Sequence, residues 1–436
     1  MFVYFEKLYI IFLIKLNNIL TVNQQWNMEV LKLNISGIVV EYNPFHKGHL
    51  YHINKTKEIT NCDAVIAVMS GNFMQRGIPS FIDKWTRAKM ALLNGVDLVF
   101  ELPVLYSLSS AEFFAYGATS LLNSTGVVNN LCFGSESGNI DEIMNISKIL
   151  YEEPEDFKFL LKSYLNKGIT YPLARSKALK EYLANTEKTC LHFNNFLGSS
   201  NNILATEYCK NLLKINSKII PYTIKRQGND YNSLKFGNKF SSATSIRNYI
   251  RHNDDLNLLK EYVPDNVLEI ITKLKNSNYS FVFEDKLFEY IKYKYFLDGN
   301  TMENIPDISE GLHNRIYNAL TKANSFTELV EAVKTKRYTY TRISRILCQY
   351  FLGFDSLDTY SLRKAPCPYA RILGFNEKGS KILKEMKNNC TIPIYTKIPK
   401  EINSTLNLDI RATKCYSLLN SSIDPLSDYK KKPIIL

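Results

Sequence analysis

The sequence predicts an α/β protein: a doubly wound, Rossmann-like parallel sheet followed by a mainly helical C-terminal region. Three observations point there. From Ile35 onward, short apolar runs alternate with amphipathic stretches of helical period. The connections between them are short, as strand–helix–strand units with parallel strands require. Loops carrying Gly, Asn and Ser follow the apolar runs, at the carboxyl ends of the predicted strands, where open α/β sheets bind ligands.

The elements follow in order. "ISGIVVEY" is a buried strand, and a helix runs from about Gly48 to Thr60. "DAVIAVMSG" is the second strand, and "DKWTRAKMALLNG" is an amphipathic helix stopped by Gly95. "VDLVFELP" is the third strand, closed by Pro103, which cannot continue a ladder. "SSAEFFAYGATSLLNSTG" is a helix with a Ser start and a Gly stop, and "NNLCFGSES" is the fourth strand. Beyond Ile140 the pattern is helical through Thr186, then "SKIIPYTIKR" returns as a strand and "SSATSIRNYIR" as a loop running into a helix. After Asn253 the chain is mainly helical, basic and aromatic, with a turn or linker at Pro264. The loops "EYNPFHKGH", "MSGNFMQRG", "ELPVLYS" and "FGSESGN" therefore line one crevice.

Composition sets the bounds. A chain of 436 residues, 45% apolar, can bury a large core and suggests two or three domains. The 54 Lys and Arg outnumber the 42 Asp and Glu, and a net charge of +12 favours polyanionic partners such as RNA, DNA or an anionic membrane. Eight cysteines form no C-x-x-C pair, as expected of reduced thiols in the cytosol. The apolar run Leu8–Ile14 is far short of the roughly 20 residues that span a bilayer. Lys7 before it leaves a signal peptide open, but no small-residue cleavage site follows. We adopt a start at Met28 and set residues 1–33 apart as a non-native or disordered extension. A cytoplasmic protein with no membrane partner is expected.

"NPFHKGH" holds the densest chemistry. His46 and His49 stand three apart, with Gly48 between them at an expected helix start. Glycine there lets a ligand approach the backbone, and the free N–H groups of a helix start favour an anion. Two imidazoles beside such a site can donate to phosphate oxygens as charge develops on them. The competing readings are a solvated helix start and a zinc site, but no nearby Cys, Asp or Glu completes a ligand set. No metal-ligating residues are assigned.

The H-x-G-H element after a first strand resembles the signature of the nucleotidyltransferase superfamily. The longer set "GIVVEYNPFHKGHLYH", "AVMSGNFMQRG", "KWTRAKMALLNGVDLVFELP", "FGSES", "NNIL", "SATSIR", "EGLHNRI", "KTKRYTYTRISRIL" and "YARILGFNEKG" is similar to the tRNA(Met) cytidine acetate ligase family. The likeness covers about residue 35 to the C-terminus. It implies a nucleotidyltransferase-type sheet and an enzyme that activates acetate with ATP to acetyl-adenylate. It also implies that the wobble cytidine of elongator tRNA(Met) is then acetylated to 4-acetylcytidine. Glu41-Tyr42-Asn43 replaces the superfamily's Gly-x-Phe, as it does in the acetate ligases.

Carried over residue by residue, the resemblance makes His46 and His49 the catalytic histidines. It assigns ATP binding to Val39, Val40, Glu41, Tyr42, Asn43, Pro44, Phe45, His46, Lys47, Gly48, His49, Leu50, Tyr51 and His52, with Gly134, Asn202 and Arg226. Asn201 is the neighbouring candidate for Asn202. Ser242 and Thr244, in "SSATSIR", are candidate phosphate contacts at a helix N-terminus; a plain N-cap is the competing reading. Lys336, Arg337, Arg342 and Arg345, interleaved with Tyr338 and Tyr340, are candidates for tRNA binding, since cations hold backbone and aromatics stack on bases. Magnesium is expected with ATP. The partners implied are elongator tRNA(Met) and acetate, and no protein partner is predicted.

Other basic residues stay open between two roles. Lys84 and Arg87, near Lys89, are phosphate or tRNA contacts or a solvated basic face, and Arg76 is a crevice contact or a turn residue. "EGLHNRI" holds Glu310, His313 and Arg315 without a catalytic constellation. The expected layout is thus an ATP-binding catalytic domain over 34–255 and a mainly helical tRNA-binding domain over 256–436. A small-molecule adenylyltransferase is the alternative, disfavoured by the long basic C-terminal region. A non-catalytic ATP- and RNA-binding protein is another, disfavoured by the intact "HKGH".

Overall fold

Five strands form a parallel core in the order β3-β2-β1-β4-β5: β1 (Ile35–Val40), β2 (Ala64–Ser70), β3 (Leu98–Leu102), β4 (Asn130–Ser135) and β5 (Ile220–Lys225). The structure is a computed structural model that describes residues 33–186, 193–226, 242–298 and 300–436. The expected N-terminal extension through residue 32 and Ser241 of the serine-rich motif lie outside the described residues.

Between the strands run α1 (Lys47–Thr60), α2 (Lys84–Leu93), α3 (Ala111–Ser124), α4 (Ile140–Glu152), α5 (Glu155–Asn166), α6 (Tyr171–Asn185) and α7 (Ser200–Lys214). Every residue of β2 and β3 is buried, because helices cover both faces of a parallel sheet. Asp83 caps α2 by accepting from the N–H groups of Trp85 and Thr86, both at 3.1 Å. The chain leaves β1 in one direction and β4 in the other. Their carboxyl ends open the crevice where a doubly wound sheet takes its ligand.

The C-terminal half is mainly helical, with α8 (Ala243–His252), α9 (Asp265–Asn276), α10 (Leu287–Asp298), α11 (Leu312–Leu320), α12 (Phe326–Val333) and α13 (Tyr340–Phe351). It then returns to the sheet, which sequence reading did not anticipate. β6 (Ala370–Phe375) pairs antiparallel with β3, and α14 (Glu377–Asn389) follows. β7 (Ile394–Tyr395), α15 (Ser404–Leu419) and β8 (Ile434–Ile435) complete the chain, with β7 and β8 both pairing with β6 to give eight strands. β6 escaped notice because "ARILGF" lies far along the chain, beyond a long run of helices, and its partner strand is β3. Residues Ile35–Leu436 form one compact unit, and the expected boundary at 255/256 falls just after α8. No helix among the described residues is long and apolar enough to cross a membrane.

A buried ion network fastens β6 to the parallel core. Lys84 Nζ lies 2.7 Å from Glu101 and 2.9 Å from Asp428, while Arg371 lies 3.3 Å from Glu101 and 2.8 Å from Asp428. Two cations thus balance two carboxylates. Burial alone would raise the Asp428 carboxyl, but Lys84 and Arg371 hold it below the usual range.

Arg87 is also fully buried. Its guanidinium donates to the carbonyls of Ile82 at 2.9 Å, Glu41 at 2.6 Å, Ser70 at 3.1 Å and also Gly71. It ties the exits of β1 and β2 together. Lys84 and Arg87 are therefore neither solvated nor available to a ligand, and only Lys89 is exposed.

Candidate functional site

The crevice at the β1/β4 switch point encloses about 740 Å3, within the roughly 300–1,000 Å3 typical of small-molecule sites. Its floor is the exit of β1 and the first turns of α1. Tyr42 holds a left-handed backbone at φ 49°, and with the buried Asn43 it turns the chain sharply into the helix. The Asn43 side chain accepts from the Phe81 N–H at 2.7 Å, and its carbonyl accepts from Arg247 of α8 at 2.7 Å. The loop is therefore held from two sides.

His46 is the N-cap of α1, and the two histidines form a reciprocal box. The Gly48 N–H donates to His46 Nδ1 at 3.1 Å, and the His46 N–H donates to His49 Nδ1 at 3.2 Å. A nitrogen that accepts a backbone N–H carries no proton, so each imidazole keeps its proton on Nε2. The rings stack with centroids 3.6 Å apart and 20° between their planes. Burial lowers the His46 pKa to about 3, helped by the Arg226 charge, and burial first and then His46 push His49 well below its ordinary value. Both are neutral Nε2–H donors at pH 7, in a geometry that the capping box fixes.

His52 lies one turn further along α1 and lines the same crevice. Burial lowers its pKa to about 4, with Arg226 adding to the effect, and its Nε2 has no hydrogen-bond partner. Of the rest of the Val39–His52 segment, Val39, Val40, Glu41, Tyr42, Asn43, Gly48 and Tyr51 also line the crevice. Pro44, Phe45, Lys47 and Leu50 do not. Phe45 is fully buried against Tyr42 and His49, and Lys47 donates to the Lys260 carbonyl at 2.7 Å. Glu41 Oε1 accepts from the Gln75 N–H at 2.7 Å. Burial raises its carboxyl, with the Gln75 bond, Arg76, Arg87 and Arg247 opposing.

The second wall comes from β4 and β5. A Cβ on Gly134 would stand 3.2 Å from Arg226 Cγ, so the glycine leaves the strand surface open beside that arginine. Arg226 Nη1 donates to Asn201 Oδ1 at 3.0 Å, and both line the crevice. Asn202, counted with the ATP-binding residues from the sequence, does not line it. It is 4% exposed, and its Oδ1 accepts from the N–H groups of Glu136 and Ser137 at 2.9 and 3.1 Å. Asn202 shapes the "FGSES" loop from behind while Asn201 faces the crevice. Adjacent helical residues point about 100° apart, so one asparagine of the pair must turn away.

At the start of α8, Ser242 caps the helix by accepting from the Ser245 N–H at 3.1 Å and lines the crevice. Thr244 does not line it; its hydroxyl accepts from Arg247 at 3.2 Å. Arg76 and Gln75 line the crevice from the loop after β2.

Sequence reasoning missed the apolar wall of Phe114, Phe133, Leu204 and Tyr208, and it missed Thr341. Phe114, Leu204 and Tyr208 belong to helical patterns and Phe133 to a strand's apolar run; all look like ordinary core, and nothing local marks which core residues face a cavity. Arg345 was expected on an RNA-gripping surface. It is only 9% exposed and lines the crevice from α13. Lys336 and Arg337 are exposed; Arg337 pairs with Glu310, and Arg342 lies 5.4 Å over the Tyr338 ring. Among the described residues, no three His, Cys, Asp or Glu side chains are grouped to hold a metal ion.

Residues 33–430 match the HIGH Nucleotidyl Transferase family. The chain is 60% identical over 403 residues to the tRNA(Met) cytidine acetate ligase of Clostridium tetani, covering 92% of this chain and all of that one. It is 57% identical to the protein of the same name from Clostridium novyi, covering 93% of this chain and 100% of the relative. It also superposes on the crystal structure of Thermotoga maritima TmcAL bound with alpha-thio ATP. There the TM-score is 0.84 at 35% identity, over 93% of this chain and all of that one.

Proposed function

The chain belongs to the tRNA(Met) cytidine acetate ligase family of HIGH nucleotidyl transferases, and from that membership we propose that it couples ATP and acetate to acetylation of the wobble cytidine of elongator tRNA(Met). The observation that carries the chemistry is the box of His46 and His49, two neutral Nε2–H donors fixed side by side at a helix start.

In the first step an acetate oxygen attacks the α-phosphorus and pyrophosphate leaves. A carboxylate is already ionised at neutral pH and needs no general base. What the site must supply is alignment and stabilisation of charge growing on the phosphates. The two histidines, Ser242 at the start of α8 and Arg226 are suited to that work. The apolar wall of Phe114, Phe133 and Tyr208 suits the adenosine. In the second step the cytidine N4 attacks the acetyl carbonyl, the bond to the adenylate oxygen breaks, AMP leaves and N4 loses a proton. The base must be splayed from its loop to reach the crevice.

Lys336, Arg337 and Arg342 lie on the α12–α13 segment that leads to the crevice through Thr341 and Arg345, a path fit for an anticodon arm. Without a carboxylate cluster among the described residues, we expect magnesium to be held by phosphate oxygens and water. The cytoplasm, where tRNA is modified, is the expected location. Acetate-dependent ATP–pyrophosphate exchange tests the first step: it should occur without tRNA. Exchange driven equally by an amino acid would overturn the proposal.

A further inference from the structure

Three arginines of the C-terminal half converge on a single residue, Asp307. Arg363 Nη1 donates to Oδ1 at 2.8 Å, whereas Arg345 Nε comes no closer than 3.9 Å to Oδ2. Arg342 spends its donors on the Asp307 backbone carbonyl at 3.2 and 2.8 Å and on Ser309 Oγ at 3.0 Å. Three guanidinium groups thus meet at Asp307, whose one carboxylate faces Arg363 and Arg345 while its backbone carbonyl takes Arg342. Arg345 and Arg363 are 9% and 5% exposed, and Nε of each, like Asp307 Oδ2, has no hydrogen-bond partner.

A guanidinium taken out of water is costly unless paired and hydrogen-bonded. Here the pairing is incomplete. Burial lowers the Arg345 pKa, Asp307 opposes that, and Arg342 and Arg363 press it further down. A cluster of this kind that is only a structural tie would carry matched charge, as the Lys84–Glu101–Arg371–Asp428 network does. The unmatched cluster sits against the crevice, because Arg345 lines it, and Arg342 runs outward over Tyr338 towards the exposed Lys336 and Arg337.

We propose that Arg345, Arg363 and Arg342 form an anion site for a backbone phosphodiester of the RNA substrate, next to the nucleotide that enters the crevice. Planar guanidinium forks suit phosphate oxygens. The position favours RNA phosphate over the phosphates of ATP. The donors assigned to ATP, at His46, His49 and Ser242, come from the starts of α1 and α8, whereas this cluster continues the outer basic strip. Holding the phosphate beside the reactive base would position N4 at the acetyl-adenylate. The inference rests on the tRNA reading above.

The test is tRNA(Met) binding by wild type and Arg363→Gln across a salt series, with ATP–pyrophosphate exchange measured alongside. We expect affinity to fall about tenfold and the log–log salt slope to lessen by about one phosphate contact, with the KM for ATP in exchange unchanged. Arg342→Gln, at a partly exposed position, should lessen the slope in the same direction and guards against misfolding of the first variant. An unchanged tRNA affinity and slope in both variants would overturn the site. A raised KM for ATP would overturn its assignment to RNA. A wild-type protein that exchanges pyrophosphate yet binds no tRNA would sink the tRNA reading itself, a result distinct from either.

Discussion

His46 and His49 stack with ring centroids 3.6 Å apart, and each gives its Nδ1 to a backbone N–H of the same helix start. The structural need for a capped helix and the chemical need for two Nε2–H donors are thus met by the same pair. His46→Asn separates the two, because asparagine caps a helix well. The expected result is a near-normal melting temperature with acetate-dependent exchange reduced roughly 100- to 1,000-fold, the usual cost of one lost transition-state donor. Equal loss of fold and activity would mean that the histidine serves only as a cap.

The histidines also set an acid limit. With folded pKa values of about 3 for His46 and about 4 for His52, the unfolded chain binds more protons wherever the pH lies below the ordinary histidine value of about 6.5. Stability is therefore lost as pH falls from about 6.5 towards those lower values. Their contribution is constant above that window. Melting curves at pH 7.5 and 5 should show the loss, and His52→Gln should lessen it. A melting temperature independent of pH in wild type would contradict the neutral, desolvated histidines.

Arg87 is predicted to hold the crevice loops rather than a ligand. Arg87→Leu leaves the carbonyls of Glu41, Ser70, Gly71 and Ile82 without their donor, in dry surroundings. The loss should be about 3–5 kcal/mol, since each buried carbonyl left without its donor costs about 1–3 kcal/mol and the loops relax in part. Urea unfolding measures it. A change under about 1 kcal/mol would remove Arg87 from this role.

The two asparagines should separate cleanly. Asn201→Ala, which frees Arg226 in the crevice wall, should raise the KM for ATP several-fold with little change in melting temperature. Asn202→Ala strips two backbone N–H groups of their acceptor and should lower the melting temperature first. The reverse pattern would restore Asn202 as the nucleotide contact.

Much of this was legible in the sequence for a physical reason. Parallel strands buried on both faces, such as "VIAVM" and "LVFEL", read as continuous apolar runs, and glycine and proline punctuate the helices between them. The "HKGH" box was legible because cap, glycine and donors are contiguous. What stayed hidden is long-range. The pairing of Lys84 with Asp428 joins residues more than three hundred positions apart. A lysine bound for such a network looks in sequence like one bound for solvent. The same holds for Arg345, whose basic neighbourhood suggested a surface while α13 carries it into the crevice wall. β6 was hidden because its place in the sheet, antiparallel against β3, is set by a pairing more than 250 positions away in the chain.

The central claim is that this crevice joins acetate to a tRNA base at the expense of ATP. Incubation with ATP, labelled acetate and elongator tRNA(Met), followed by nucleoside digestion, tests it most directly. The account predicts label in 4-acetylcytidine at the wobble position, abolished by His49→Ala. Labelled acetyl-adenylate without any labelled cytidine, on intact tRNA(Met) that the protein binds, would contradict it.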